Sequence, residues 1–266
     1  MDRTTLNKYK NADEKILISK IIDKITFCNS KNQIQVTDFL DLAQQNLVSK
    51  FMNSQNIKNY IFYGGYEEAE RKVVIIYPEK LENVIKENKI SFNEWLKVIK
   101  ITLPNENKGK YEHRIYLGGL MKLGIKREKV GDILVDENGA DVIIHKDILN
   151  FVLTNITELT RFQKAKIEEI NLDALRKPNL DKEQITITVS SMRLDNIVSE
   201  LAKCSRGKAS KIIEQERVFV NYEITLKQTK EIKEKDKITI RGKGRFEIKE
   251  ILGNTRKGKM TVLIEK

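Results

Sequence analysis

The chain has 266 residues, 40% hydrophobic and 33% charged, with a formal net charge of +11. That balance belongs to a globular protein of two or three domains and excludes disordered and fibrous classes. No stretch approaches about 18 uninterrupted apolar residues, and the N-terminal MDRTTLNKYKNADEK lacks an apolar secretory core, so a cytoplasmic chain without a membrane span is expected.

From the N-terminus, Leu17, Ile18, Ile21, Ile22 and Ile25 recur at helical spacing. Thr37 is the expected cap of a second helix, with Asp38 in its first turn and Phe39, Ala43, Leu47 and Phe51 on one face. These define a helical N-terminal unit over 1–55. The runs NYIFYGGY and RKVVIIYP then predict a hairpin, and FNEWLKVIKITL supplies another strand. YLGGLMKLGIKRE reads as a helix, with Lys126, Arg127 and Lys129 placed at its C-terminal end, where the dipole welcomes cations. GDILVDENGADVIIH is a hairpin in which Asn138-Gly139 is expected to provide a φ > 0 turn. A helix near 147–156 and a strand near 163–170 complete an α+β middle domain over 56–170. Polar sequence around Pro178 marks a linker over 171–185.

The remaining stretch, 186–266, is a small domain of two helices and a curled antiparallel sheet. Leu194, Ile197, Val198 and Leu201 share one face of the first helix, for which Ser191 is the expected cap. Ser205 caps the second, whose Ala209, Ile212 and Ile213 face inward. Short strands follow, separated by charged turns at KEKDK, RGKGR and GNTRKGK. Charge concentrates here: from Ser191 onward there are 19 Lys and Arg against 11 Asp and Glu, so less than a third of the chain holds +8 of the +11. A concentrated basic domain suggests a polyanionic partner.

Within that domain, Arg206 and Lys208 open a helix, where the macrodipole favours acids. Exposed backbone N–H groups together with nearby cations suit phosphate instead. Lys211 extends the face by a turn, and Arg193 has the same placement on the preceding helix. In RGKGR, Arg241, Lys243 and Arg245 alternate with glycines that permit close backbone approach. The expected phosphate-binding residues are therefore Arg193, Arg206, Lys208 and Lys211, with Arg241, Lys243 and Arg245 of the RGKGR turn beside them.

The ordered series RLDNIVSELAKCSRGKASKIIEQERVFVN followed by KEKDKITIRG resembles the RNA-binding domain of ribosomal protein S-four, over about 191–250. The resemblance puts Arg193, Ser205, Arg206, Lys208 and Lys211 on RNA-facing positions. It departs at Glu216 and Tyr222, where that family usually and often, respectively, has Gly. Upstream, GGYEEAERK, LMKLGIKREKVGDILV and TVSSMRLD together resemble the bacterial YlmH family along nearly the whole chain. That resemblance implies an RRM- or ferredoxin-like middle domain. It further implies binding of rRNA and tRNA on the ribosome, on the large subunit, in rescue or quality control of stalled translation. A monomer is expected.

An enzyme finds little footing. Asp195 suits the first turn of a helix, Asp132 begins a hairpin with no evident partner, and His113 and His145 lack acidic or nucleophilic partners in sequence. The glycines of YGGY and YLGGL do not open a cofactor-binding βαβ unit. Cys28 and Cys204 lie far from each other and from both histidines, so neither a disulfide framework nor a metal set is expected. No catalytic residue, cofactor or metal is therefore assigned. The competing readings are an RNA-modifying enzyme, of pseudouridine synthase or methyltransferase type, with its site in the middle domain, and a protein-binding scaffold.

Overall fold

The structure is a computed structural model that describes residues 3–9, 11–87, 90–176, 183–255 and 258–266. Its contacts divide the chain into two compact units, 1–178 and 179–266. It is an α+β protein, with three antiparallel sheets and flanking helices.

The first unit begins with α1 (Ala12–Lys31), capped by the Asn11 side chain, which accepts from the Asp13 amide. Its stripe of Ile18, Ile21, Ile22, Ile25 and Cys28 is buried, and each fully buried isoleucine contributes about 1.5–3 kcal/mol. The second helix, α2 (Leu42–Ser54), starts later than the sequence suggests. Asp41 is its cap, in a reciprocal capping box with Gln44. Thr37 is instead a fastener: its hydroxyl accepts from the Val74 amide at 2.8 Å and donates to the Asp38 carbonyl at 2.7 Å. Between the helices lies β1 (Gln35–Val36). It joins β2 (Tyr60–Tyr63) and β3 (Val73–Ile76) in the order β1-β3-β2. The expected boundary near residue 55 thus falls between elements that share one core, since Val74 and Ile76 pack with α1 and α2. A short helix, α3 (Glu82–Lys86), follows.

Next come β4 (Leu96–Thr102), α4 (His113–Lys122), β5 (Val130–Asp136), β6 (Gly139–His145), α5 (Leu149–Asn155) and β7 (Lys166–Ile170). Their sheet order is β5-β6-β4-β7, all antiparallel. This is the βαββαβ arrangement of RRM- and ferredoxin-like folds. The helices cover one face through Tyr116, Leu120, Val152 and Ile156, over Ile99, Ile101, Val142 and Ile144. On the other face, Val98 and Ile143 share a core with Val73, Ile75 and Phe39.

The β5–β6 hairpin forms by a different turn from the one expected. Asp136 pairs with Gly139, so the loop residues are Glu137 and Asn138, and Asn138 keeps a negative φ. The Asp136 carboxylate accepts from the amides of Asn138 and Gly139, as at the first position of a type I turn. Gly139 serves packing: a Cβ there would sit 1.8 Å from the Ile101 carbonyl oxygen of β4. A second correction concerns Lys126, Arg127 and Lys129. α4 ends at Lys122 and these residues belong to the following 3-10 turn, so the helix dipole does not account for them. Lys129 pairs with Asp38 and Asp147, while Arg127 Nη1 donates to the Val130 and Gly131 carbonyls.

Of the expected linker, residues 171–176 are ordered against the first unit. Leu172 is buried, and Arg176 donates from both its amide and its guanidinium to the buried Asp141 carboxylate. Pro178 and its neighbours, 177–182, lie outside the described residues, as do Arg256 and Lys257 of the GNTRKGK turn.

The second unit contains β8 (Gln184–Val189), α6 (Leu194–Ala202), α7 (Arg206–Glu214), β9 (Val218–Val220), β10 (Glu223–Ile224), β11 (Lys237–Ile240), β12 (Gly244–Asn254) and β13 (Met260–Glu265). The sheet runs β10-β9-β11-β12-β13-β8. β8 falls partly in the expected linker, yet it pairs with β13 along its whole length. The apolar faces of α6 and α7 meet the sheet through Leu194, Ile197, Val198, Ala209 and Ile213 against Val218, Ile238, Ile248 and Val262.

Candidate nucleic-acid interface

The site is built on the loop that joins α6 to α7 and on the first turn of each helix. Arg193, not Ser191, occupies the N-cap position of α6, and its side chain does not cap. Ser191 contributes one residue further along the network, accepting from the Asn196 amide group at 2.7 Å. Asp195 lies in the first turn and is buried. An isolated carboxylate there would be costly, because burial disfavours the charged form.

Two arginines resolve that cost. Arg193 donates through Nε at 3.1 Å and Nη2 at 2.9 Å to Asp195, one contact to each carboxylate oxygen. Arg206, from the start of α7, donates through Nε at 3.0 Å and Nη2 at 2.8 Å to Oδ2. Burial pushes the Asp195 carboxyl upward, but the hydrogen bonds and charges of Arg193 and Arg206 outweigh it and hold the carboxyl below its usual range. Arg206 therefore opens α7 because a buried acid lies beside it. It is not the unpaired cation that the sequence suggests. The guanidiniums keep an outward face, with side chains 40% (Arg193) and 53% (Arg206) exposed.

α7 presents the rest. Ser205 caps it by accepting from the Lys208 amide. Arg206, Gly207, Lys208 and Lys211 are exposed, while Ala209 and Ile213 are buried on the opposite side. The helix ends in a Schellman motif: the Glu216 amide reaches the Ile213 carbonyl, and the Arg217 amide reaches that of Ile212. Arg217 then donates to the Arg241 carbonyl at 3.1 Å, and the Arg241 amide returns a bond to the Arg217 carbonyl. The Arg241 guanidinium lies 5.1 Å from the Phe219 ring centroid.

The sequence-derived residues thus fall into two groups. Arg193, Ser205, Arg206 and Lys208 gather where α6 and α7 begin. Arg241 and Lys243 lie in the exposed β11–β12 connection and Arg245 at the exposed start of β12, at the far end of α7, about 14 Å along a nine-residue helix. Lys211 lies on the helix between them. Two participants escape sequence inspection. Asp195 carries no mark in sequence beyond its helix position, and Arg217 stands out only once the turn after α7 is known to meet residue 241.

The first unit holds a comparable polar centre. Asp132 accepts from the Tyr66 hydroxyl at 2.9 Å and from the Glu70 and Arg71 amides at 2.7 and 3.0 Å, so it does have partners. They form the GGYEEAERK loop. Arg71 in turn donates to the carbonyls of Val130, Phe39 and Arg127. Burial, and next the neighbouring Arg71, push the Arg127 guanidinium down to about 10. Both arginines remain charged at neutral pH, so this centre is a structural clamp. His113 is exposed at the start of α4, and His145 lies 2.9 Å from the Asp147 carboxylate. Among the described residues no cluster of His, Cys, Asp and Glu is arranged to hold a metal, and no helix is long and apolar enough to cross a membrane.

Comparison with known proteins agrees with this division. The chain matches the family described as the putative RNA-binding domain in YlmH over residues 92–174, and the S4 domain over residues 192–238. It is similar to ribosome-associated protein quality control protein P2 of Bacillus subtilis, 30% identical over 257 residues, covering 96% of this chain and 95% of that one. A solved structure described as cell division protein ylmH from Streptococcus pneumoniae is also similar. It is 19% identical, covers 63% of this chain and 98% of its own, and gives a TM-score of 0.47. With a relative of that identity spanning nearly its entire length, the chain belongs to the YlmH family, and it carries an S4 domain in its second unit.

Proposed function

We propose that the chain is a non-enzymatic, cytoplasmic RNA-binding protein that grips structured RNA on the ribosome through its second unit. One observation carries the reading. The two arginines that neutralise Asp195 make a rigid base, and Lys208 and Lys211 project from the same helix into solvent. Phosphates meet positioned guanidinium faces and mobile ammonium groups together. The RNA-binding residues are Arg193, Ser205, Arg206, Lys208 and Lys211, with Arg241, Lys243 and Arg245 as a second contact at the other end of α7.

The S4 domain and the ribosome-associated relative support RNA and ribosome as partners. The finer assignment is to rRNA and tRNA on the large subunit, during rescue or quality control of stalled translation, by a monomer. The test is ribosome co-sedimentation followed by RNA crosslinking, with Lys208→Glu and Lys211→Glu beside the parent chain. Both lysines are exposed, so the variants should fold normally and sediment with far less ribosome. In titrations with structured RNA, the slope of log affinity against log salt should fall by about 1 to 2 for the double neutral variant K208Q/K211Q. Unchanged sedimentation and an unchanged slope overturn the proposed surface.

A further inference from the structure

A cavity of about 780 Å³ lies within the first unit, between the end of β2, the Gly64–Glu67 turn and the segments around Phe92 and Asp173. Four aromatic side chains contribute to its lining. Tyr63 and Phe92 are in ring contact with centroids 4.2 Å apart, and Phe62 and Tyr66 add further ring surface.

The polar groups around those rings are unevenly committed. The Tyr66 hydroxyl is spent on Asp132, the Lys72 ammonium is turned onto the Glu67 carbonyl, and the Asn93 amide donates to Ser91 while its oxygen accepts from the Leu172 amide. The Tyr63 hydroxyl makes a long, 3.4 Å bond to the Gly65 carbonyl. The two carboxylates of the lining, Glu67 and Asp173, are both exposed. Asp173 is close enough to Tyr63 that, after burial, it is the next cause raising the hydroxyl's pKa.

Aromatic faces beside two carboxylates, with one ammonium, Lys72, turned onto a backbone carbonyl, suit a planar cation that stacks and donates. They suit a polynucleotide poorly, because two carboxylates repel its phosphates. At the rim, Glu67 and Asp173 outnumber the single ammonium, Lys72. We propose that this cavity receives an arginine side chain presented by a basic protein partner, with the guanidinium stacked against Tyr63 and Phe92 and bonded to Asp173 and Glu67. The contact is independent of the RNA surface in the second unit.

Trp95 is the only tryptophan, and its ring centroid lies 6.4 Å from that of Phe92, so its fluorescence reports on the cavity. The full chain is titrated with blocked Gly-Arg-Gly, with its uncharged citrulline analogue and with single-stranded hexauridylate. The arginine peptide should give a saturable change and the citrulline peptide a response at least about tenfold weaker. Asp173→Asn and Glu67→Gln, both at exposed positions, should each weaken the arginine peptide by about tenfold, whereas Lys72→Gln should tighten it. RNA affinity in D173N should equal that of the parent, which separates failure here from failure of the RNA assignment. Equal responses to arginine and citrulline, no saturation, indifference to D173N and E67Q together, or hexauridylate saturating in place of the peptide would each overturn the proposal.

Discussion

Asp195 shows how one side chain can dictate the character of its neighbours. Its carboxyl titrates lower in the folded chain than in the unfolded one, because Arg193 and Arg206 favour the charged form more than burial disfavours it. The sign follows from linkage. The stabilisation is fully present above the unfolded carboxyl value of about 3.9 and is lost as pH falls through the lower folded value. Asp195→Asn should therefore destabilise the second unit by about 2 kcal/mol at neutral pH, since it leaves two guanidiniums with a weaker acceptor. Denaturant melts at pH 7 and pH 3 check this, with the difference between parent and variant shrinking at the lower pH. Glu216 offers a change of opposite direction. It holds φ +56° at the end of α7, and Tyr222 holds +69° in the β9–β10 turn; the S-four pattern usually has Gly at the first position and often at the second. A Cβ in that region is strained, so Glu216→Gly should stabilise the chain by about 1 kcal/mol in the same melts, with RNA affinity unchanged. The two departures from the family pattern are thus among the positions whose backbone favours glycine.

Among the elements, helices with a clear apolar stripe were readable from the chain, because burial of one face requires helical spacing. Ile18, Ile21, Ile22 and Ile25 of α1 and the Leu194–Leu201 face of α6 are buried as spaced. Starting points were harder to read. Thr37 and Ser191 have the chemistry of caps but serve other hydrogen bonds, Thr37 to Val74 of β3 and Ser191 to the Asn196 side chain of α6. The β5–β6 hairpin is similar: its position was legible, but the role of Gly139 was not, because the constraint comes from β4, some 38 residues earlier. Gly139→Ala should cost at least about 3 kcal/mol, as its Cβ cannot coexist with the Ile101 carbonyl. A thermal melt in which G139A behaves like the parent would show that β4 and β6 separate without penalty.

For the whole molecule, each compact unit has its own buried core, so calorimetry should resolve two transitions. Arg71→Ala, which removes the clamp on the Phe39, Val130 and Arg127 carbonyls, should lower only the transition of the first unit, and Asp195→Asn only that of the second. A single transition shifted by both variants would show instead that the units unfold together. Taken alone, the sequence determined the fold class, the order of the α+β and S-four-like regions and the concentration of positive charge. Apolar spacing, turn residues and charge counts are local properties that survive being read along a line. Tertiary structure alone decided that Arg206 answers a buried carboxylate, that Asp132 gathers the GGYEEAERK loop, and that an acidic aromatic cavity opens beside β2. Each of these depends on which distant groups share a small desolvated volume, and hydrogen-bond partners in such a volume are chosen by distance in space rather than by separation along the chain.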